Sequence, residues 1–166
     1  EVIHKVKSQS NVFLDTVVSS RMPFGLTSNV RPEKHGDLNL ITSAGNGKIS
    51  IDRISVGKEL VSKWKVLLSK ASNDHGGQPD KEGKRRIFSR VEVIPPNTVC
   101  TESYLIVGSY DDEQEAINMA KYLKTKFCRF LVATKLLTQN ITKSKFAFVP
   151  YLPMSEERTD SKVFER

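Results

Sequence analysis

The sequence predicts an α+β fold: a mixed β-sheet that includes a β-hairpin, with one long amphipathic helix packed on it. Three observations point there. Residues 101–150 read as strand, helix, strand, because the apolar run Tyr104-Leu105-Ile106-Val107 precedes a long stretch with helical spacing and Phe146-Ala147-Phe148-Val149 follows it. Two β-rich runs, 38–42 and 48–54, flank the turn-forming string Ser43-Ala44-Gly45-Asn46-Gly47. Trp64-Lys65-Val66-Leu67-Leu68 and Val91-Glu92-Val93-Ile94 also read as strands, the second stopped by Pro95-Pro96.

Taken in order, Val2, Ile3 and Val6 have helical spacing, as at the tail of a helix, and Phe13, Leu14, Val17 and Val18 suggest a second short helix over 11–20. Pro23 must end it, since proline lacks a donor and disfavours helix at Met22. Residues 27–36 are polar, hold Pro32 and read as a loop. In the hairpin, Ile49 and Ile51 alternate with Ser50 and Asp52, which puts one face in water. Residues 59–62 read as one helical turn before the strand at 64–68. Gly108-Ser109 is expected to break the 104–107 strand, and Asp111-Asp112-Glu113 supplies a cap and negative charge for a helix start. Ala116, Ala120, Leu123, Phe127, Phe130, Leu131 and Thr134 then form one apolar stripe flanked by Lys121, Lys124, Lys126, Arg129 and Lys135. Unbroken from Asp112 to Leu137, that helix would be roughly 39 Å long. Thr138-Gln139-Asn140 ends it.

A chain of 166 residues suits one domain with appendages, long enough to bury a core without staples. With 38% hydrophobic and 27% charged residues it has a globular composition, and no apolar run is long enough for a membrane span. Glu1 in place of methionine suggests a segment cut from something longer. The net charge of +7 implies an acidic partner, with nucleic acid the expected one. Cys100 and Cys128 do not have metal-site spacing, and their expected state is reduced and buried, which fits a cytoplasmic protein.

Catalytic signals are poor. Pro79-Asp80 followed by Glu82-Gly83-Lys84 has the residue types of a Mg²⁺-dependent nuclease, but it lies in a glycine-rich stretch with no strand beneath it. Gly45-Asn46-Gly47-Lys48 lacks the phosphate-loop spacing, and no dinucleotide fingerprint follows a strand. The signals for nucleic-acid binding are better. Residues 73–83 are polar and glycine-rich and lead into the densest cationic patch, Lys84, Arg85 and Arg86, with Arg90 beyond. Guanidinium groups grip phosphates or read guanine, and the amides of Asn73, Gln78, Gln139 and Asn140 suit adenine. The blander reading is a solvated loop, with Asn140 as a helix C-cap.

Several strings, in order, resemble one known family. They are Arg21-Met22-Pro23-Phe24-Gly25-Leu26, the run Trp64-Lys65-Val66-Leu67-Leu68-Ser69-Lys70-Ala71, and Cys100-Thr101-Glu102-Ser103-Tyr104-Leu105-Ile106-Val107-Gly108. Tyr122 to Leu131, Lys135-Leu136-Leu137-Thr138-Gln139 and Phe148-Val149-Pro150 continue the match. The whole resembles the TaqI-like specificity domain of bacterial type II restriction-modification adenine-specific DNA methyltransferases, some of which fuse methylase and endonuclease. The resemblance implies a module that recognises a DNA target, with residues 1–20 a helical linker from a preceding catalytic domain and 21–154 the recognition domain; 155–166, charged and aperiodic, reads as a mobile tail or a cut linker. Lys70, which stands in the second of these strings, is a further candidate DNA contact. The family's Asn/Asp-Pro-Pro-Tyr/Phe tetrapeptide and its cofactor glycines are missing, since Ile94-Pro95-Pro96-Asn97 lacks the flanking residues. The chain thus resembles the reader without the writer. The implied partners are double-stranded DNA and a catalytic methyltransferase domain of the same chain, with no membrane. S-adenosylmethionine is expected in that domain, and no cofactor or metal here. Two other classes remain: a scaffold that docks its own catalytic partner without base readout, and a Mg²⁺-dependent nuclease working through Glu82.

Overall fold

The computed structural model describes residues 1–71, 81, 87–136 and 140–161. Within them the fold is α+β, built as three layers. The central layer is an antiparallel sheet with strand order β4-β3-β6, where β3 is Trp64–Ser69, β4 Val91–Ile94 and β6 Tyr104–Tyr110. A second, mixed sheet of order β2-β1-β5 covers one face, with β1 Leu38–Thr42 antiparallel to β2 Gly45–Ile49 and parallel to β5 Thr98–Cys100. Helices α3 (Glu113–Lys124) and α4 (Lys126–Ala133) cover the other. The expected single sheet is therefore two.

Alternation along the central strands explains the layering. Val66, Leu68, Leu105 and Val107 point into a core shared with Ala116, Met119, Leu123 and Leu131 of the helices. Leu67, Ile94, Tyr104 and Ile106 point the other way, into a core shared with Leu38, Leu40, Ile49 and Val99. A strand buried on both faces needs apolar residues at nearly every position, which is why Val66-Leu67-Leu68 and 104–107 are unbroken apolar runs. Between Lys65 and Leu67 the pairing with β6 slips by one residue. That bulge uses Gly108, whose φ of +76 belongs to the left-handed region. Gly108-Ser109 therefore bends the strand without ending it, and β6 runs on to Tyr110.

The hairpin forms, with a tighter turn than the sequence suggests. Thr42 Oγ1 accepts from Ala44 N (3.0 Å) and donates to Gly45 O (2.7 Å), so Gly45-Asn46-Gly47 pairs as strand. Ser50 then caps a 3₁₀ turn, Ile51–Arg53, which leaves Ile51 43% exposed instead of sharing a face with the buried Ile49.

Three further expectations change. The single long helix is two, because Thr125 adopts an extended ψ of 151° between α3 and α4. Its Oγ1 donates to Tyr122 O (2.7 Å) and accepts from Cys128 N (3.1 Å), replacing the interrupted helical bonds. Beyond the bend Cys128, Leu131 and Val132 face the core, and Phe130 of the expected stripe is 53% exposed. Residues 146–149 are not a strand: Lys143–Phe146 is a 3₁₀ turn, after which Val149 N donates to Phe146 O (3.0 Å). Phe146 and Val149 are both fully buried, and their spacing of three fits that tighter winding. Residues 11–20 hold only the 3₁₀ turn Leu14–Thr16. They serve instead as an extended edge to β6, where Ser19 N donates to Ile106 O (2.8 Å) and Gly108 N to Val17 O (3.0 Å).

Helices α1 (Val2–Gln9) and α2 (Lys58–Val61) stand where the sequence puts them. Cys100 and Cys128 are free and buried. In the terminal segment Glu157 pairs with Lys121 (2.5 Å), Arg158 donates to Pro153 O and Asp160 accepts from Phe127 N. No helix among the described residues is long and apolar enough to cross a membrane.

Candidate nucleic-acid interface

The central sheet has two chemically different ends. At one, Trp64 faces Tyr110, Lys63 pairs with Asp111, and Asp111, Asp112, Glu113 and Glu115 gather at the start of α3. Asp112 Oδ1 caps that helix by accepting from Gln114 N (2.7 Å) and Glu115 N (3.3 Å), so the carboxylates sit at the positive end of its dipole. At the other end Ser69 faces Tyr104, and there the cations collect. Since α3 follows β6 after a two-residue turn and packs back across the sheet, its Lys124 returns to this second end beside Arg90.

Backbone pairing brings three candidates together there. Ser69 N donates to Arg90 O (3.1 Å), Ile141 N donates to Lys70 O (2.9 Å), and Ala71 bridges Asn140. Lys70, Arg90 and Asn140 thus lie side by side, with Asn140 exposed. Lys84, Arg85, Arg86, Asn73, Gln78 and Gln139 lie outside the described residues, as do Asp80 and Glu82. Among the described residues no group of three His, Cys, Asp or Glu side chains can hold a metal ion.

Electrostatics at this end depends on two carboxylates. Glu102 accepts from Ser28 N (3.0 Å) and pairs with Arg21 (3.0 Å). The Ser28 N–H first, and then Arg21, hold its pKa below the ordinary carboxylate range. Lys70 Nζ donates to Arg21 O; burial lowers its pKa, and Glu102 partly offsets that. Arg90 lies over the Tyr104 ring at 5.5 Å, donates to Tyr104 Oη (3.2 Å), and meets Glu92 Oε2 from both Nε (2.8 Å) and Nη2 (2.5 Å). Burial opposes its charge, but Glu92 and Tyr104 outweigh burial and raise its pKa.

In the sequence Lys124 and Arg129 read only as flanks of a helix. Both line an open groove with Arg90 along β4, because the bend at Thr125 brings the end of α3 and the first turn of α4 to the same place. Spacing could not reveal this without knowledge of the bend. A separate cationic group forms where Lys7 and Lys135 both lie over the Phe148 ring, at 4.5 and 4.1 Å, with Lys145 donating to Lys135 O (2.9 Å). What the arrangement can do chemically is bind anions through fixed cations next to an exposed amide.

Compared with family models, with curated proteins and with solved structures, the chain matches none.

Proposed function

We propose that this chain is a DNA target-recognition module of a type II restriction-modification adenine methyltransferase, which positions the duplex for a separate catalytic domain. The observation that carries the reading is the charge polarity of the central sheet, with Arg21, Lys70, Arg90, Lys124 and Arg129 at one end and the α3 carboxylates at the other. Such an end attracts a polyanion and turns the acidic end away from it. Cations anchor phosphates and set the register, while amides such as Asn140 read base edges. In this reading the methyl donor S-adenosylmethionine belongs to the catalytic partner, which flips the adenine out of the stack.

The test is the salt dependence of duplex binding. If about five phosphates are neutralised, the log–log slope is near −4.5, and a flat response removes the reading. Replacing Arg85 and Arg86 with alanine is expected to weaken binding, and unchanged affinity clears those two of any role.

A second reading, a scaffold that docks its catalytic partner, is favoured by one observation: Arg21, Lys70 and Arg90 already have intrachain partners. Co-purification with that partner and no DNA shift at low salt would decide for it.

A further inference from the structure

β4 is the end strand of the central sheet, and an open groove of about 450 Å³ runs beside it. Ser89, Arg90 and Glu92 line its strand side, and Lys124 and Arg129 its helix side. Lys124 and Arg129 have no ion-pair partner among the described residues. Arg129 spends only Nε on Thr125 O (3.3 Å). Arg90 differs, because its Nε and Nη2 both reach a single oxygen of Glu92. Glu92 stands two residues further along the chain, in β4, and among the described residues brings the one negative charge into a groove otherwise lined by cations and neutral groups. Both side chains are partly exposed, 37% for Arg90 and 46% for Glu92, and an ion pair that wet contributes little and exchanges readily. The Tyr104 ring and hydroxyl hold the guanidinium in place whichever anion it meets.

We propose that this groove seats a backbone phosphate of the duplex, and that Glu92 is a resident anion which the phosphate displaces from Arg90. This rests on the DNA reading above and adds to it the phosphate seat and its internal competitor. Arg90 exchanges one anionic partner for another, while Lys124 and Arg129 supply charge that only the phosphate uses. Glu92 therefore weakens binding to any duplex that does not bring a phosphate into the groove, which holds down non-specific affinity.

The experiment measures duplex affinity of the 166-residue chain by fluorescence anisotropy across a salt series. The variants are Glu92→Gln, the double variant Lys124→Ala/Arg129→Ala, Arg90→Ala, Arg90→Ala/Glu92→Gln, and Lys34→Ala as a charge control outside the groove, each checked for native thermal melting. Glu92→Gln is expected to tighten binding about fivefold. The double variant is expected to weaken it by at least about tenfold and to flatten the salt slope by about 1.8. The gain from Glu92→Gln is expected to vanish in the Arg90→Ala background, because a competitor acting through Arg90 has nothing left to release. A gain that persists there is general electrostatics and overturns the resident-anion role. A Lys124→Ala/Arg129→Ala variant no weaker than Lys34→Ala overturns the seat while the chain still binds DNA, so the DNA reading survives that result. No binding by the chain or any variant at low salt overturns both. Inorganic phosphate and a mononucleotide form the remaining arm: either one binding as tightly as the duplex assigns the groove to a free phosphate compound.

Discussion

Lys65 is the least ordinary side chain of the described fold. It is fully buried, and its ammonium donates to the carbonyls of Lys63 (2.6 Å), Val61 (3.3 Å) and Pro95 (3.5 Å), closing the end of α2. Burial lowers its pKa from 10.5 to about 8. The native state thus releases the proton first as pH rises. Stability should grow from about pH 8 to 10.5, the unfolded value, by at most about 1.4 kcal/mol per pH unit. Urea denaturation of wild type and Lys65→Met between pH 8 and 9 checks this: the wild type should gain on the variant, and a constant gap would refute the account. The interval stops at 9, where ordinary thiols titrate. Burial also pushes Cys100 up to about 12 and raises Cys128. Native protein should therefore resist a thiol-specific disulfide reagent at pH 8 and react at both cysteines once unfolded. Gly108 tests the backbone. A Cβ there would lie 2.6 Å from Tyr110 Oη, on a φ of +76, so Gly108→Ala should cost about 2 kcal/mol in chemical denaturation.

Among the elements, the bend between α3 and α4 shapes the candidate interface most. Thr125 is 4% exposed and its hydroxyl satisfies groups on both helices. Thr125→Ala should cost about 1–2 kcal/mol, and Thr125→Ser, which keeps the hydroxyl, less than half of that in the same urea titration. If alanine cost nothing, packing alone would hold the bend. The edge segment around Val17 and Val18 carries a similar lesson. Thr16, Val17 and Val18 are β-branched or hydroxyl-bearing and have weak helix propensity. Pairing with the free edge of β6 therefore overrides a helical pattern of four apolar residues.

At the scale of the molecule, both cores share the central sheet, so neither can melt while the other stays native. Denaturation followed by far-UV circular dichroism and by fluorescence of Trp64, the single tryptophan, should give one coincident transition. Two separated transitions would mean that the hairpin sheet unfolds alone. In amide exchange β3 and β6 should be slowest, since they are paired to each other and buried on both faces.

Residue pattern alone determined the fold class, the hairpin, the central strands and the two small helices α1 and α2. Each rests on short-range chemistry: alternation, unbroken apolar runs, turn residues and prolines act within a few positions. The charge of the candidate interface was legible too, as an excess of cations and as lysines and arginines beside a helix. Tertiary structure decided the rest. Whether strands make one sheet or two depends on which partners their backbones meet, and Leu67 and Leu68 read alike though they serve different cores. Whether Phe146 to Val149 is strand or turn depends on where two buried side chains must point. Lys70, Arg90 and Asn140 become neighbours only through non-local hydrogen bonds, and Lys124 and Arg129 face one groove only because a threonine hydroxyl replaced the bonds that would have continued the helix. Periodicity measures distance along the chain; a binding surface is set by distance across it.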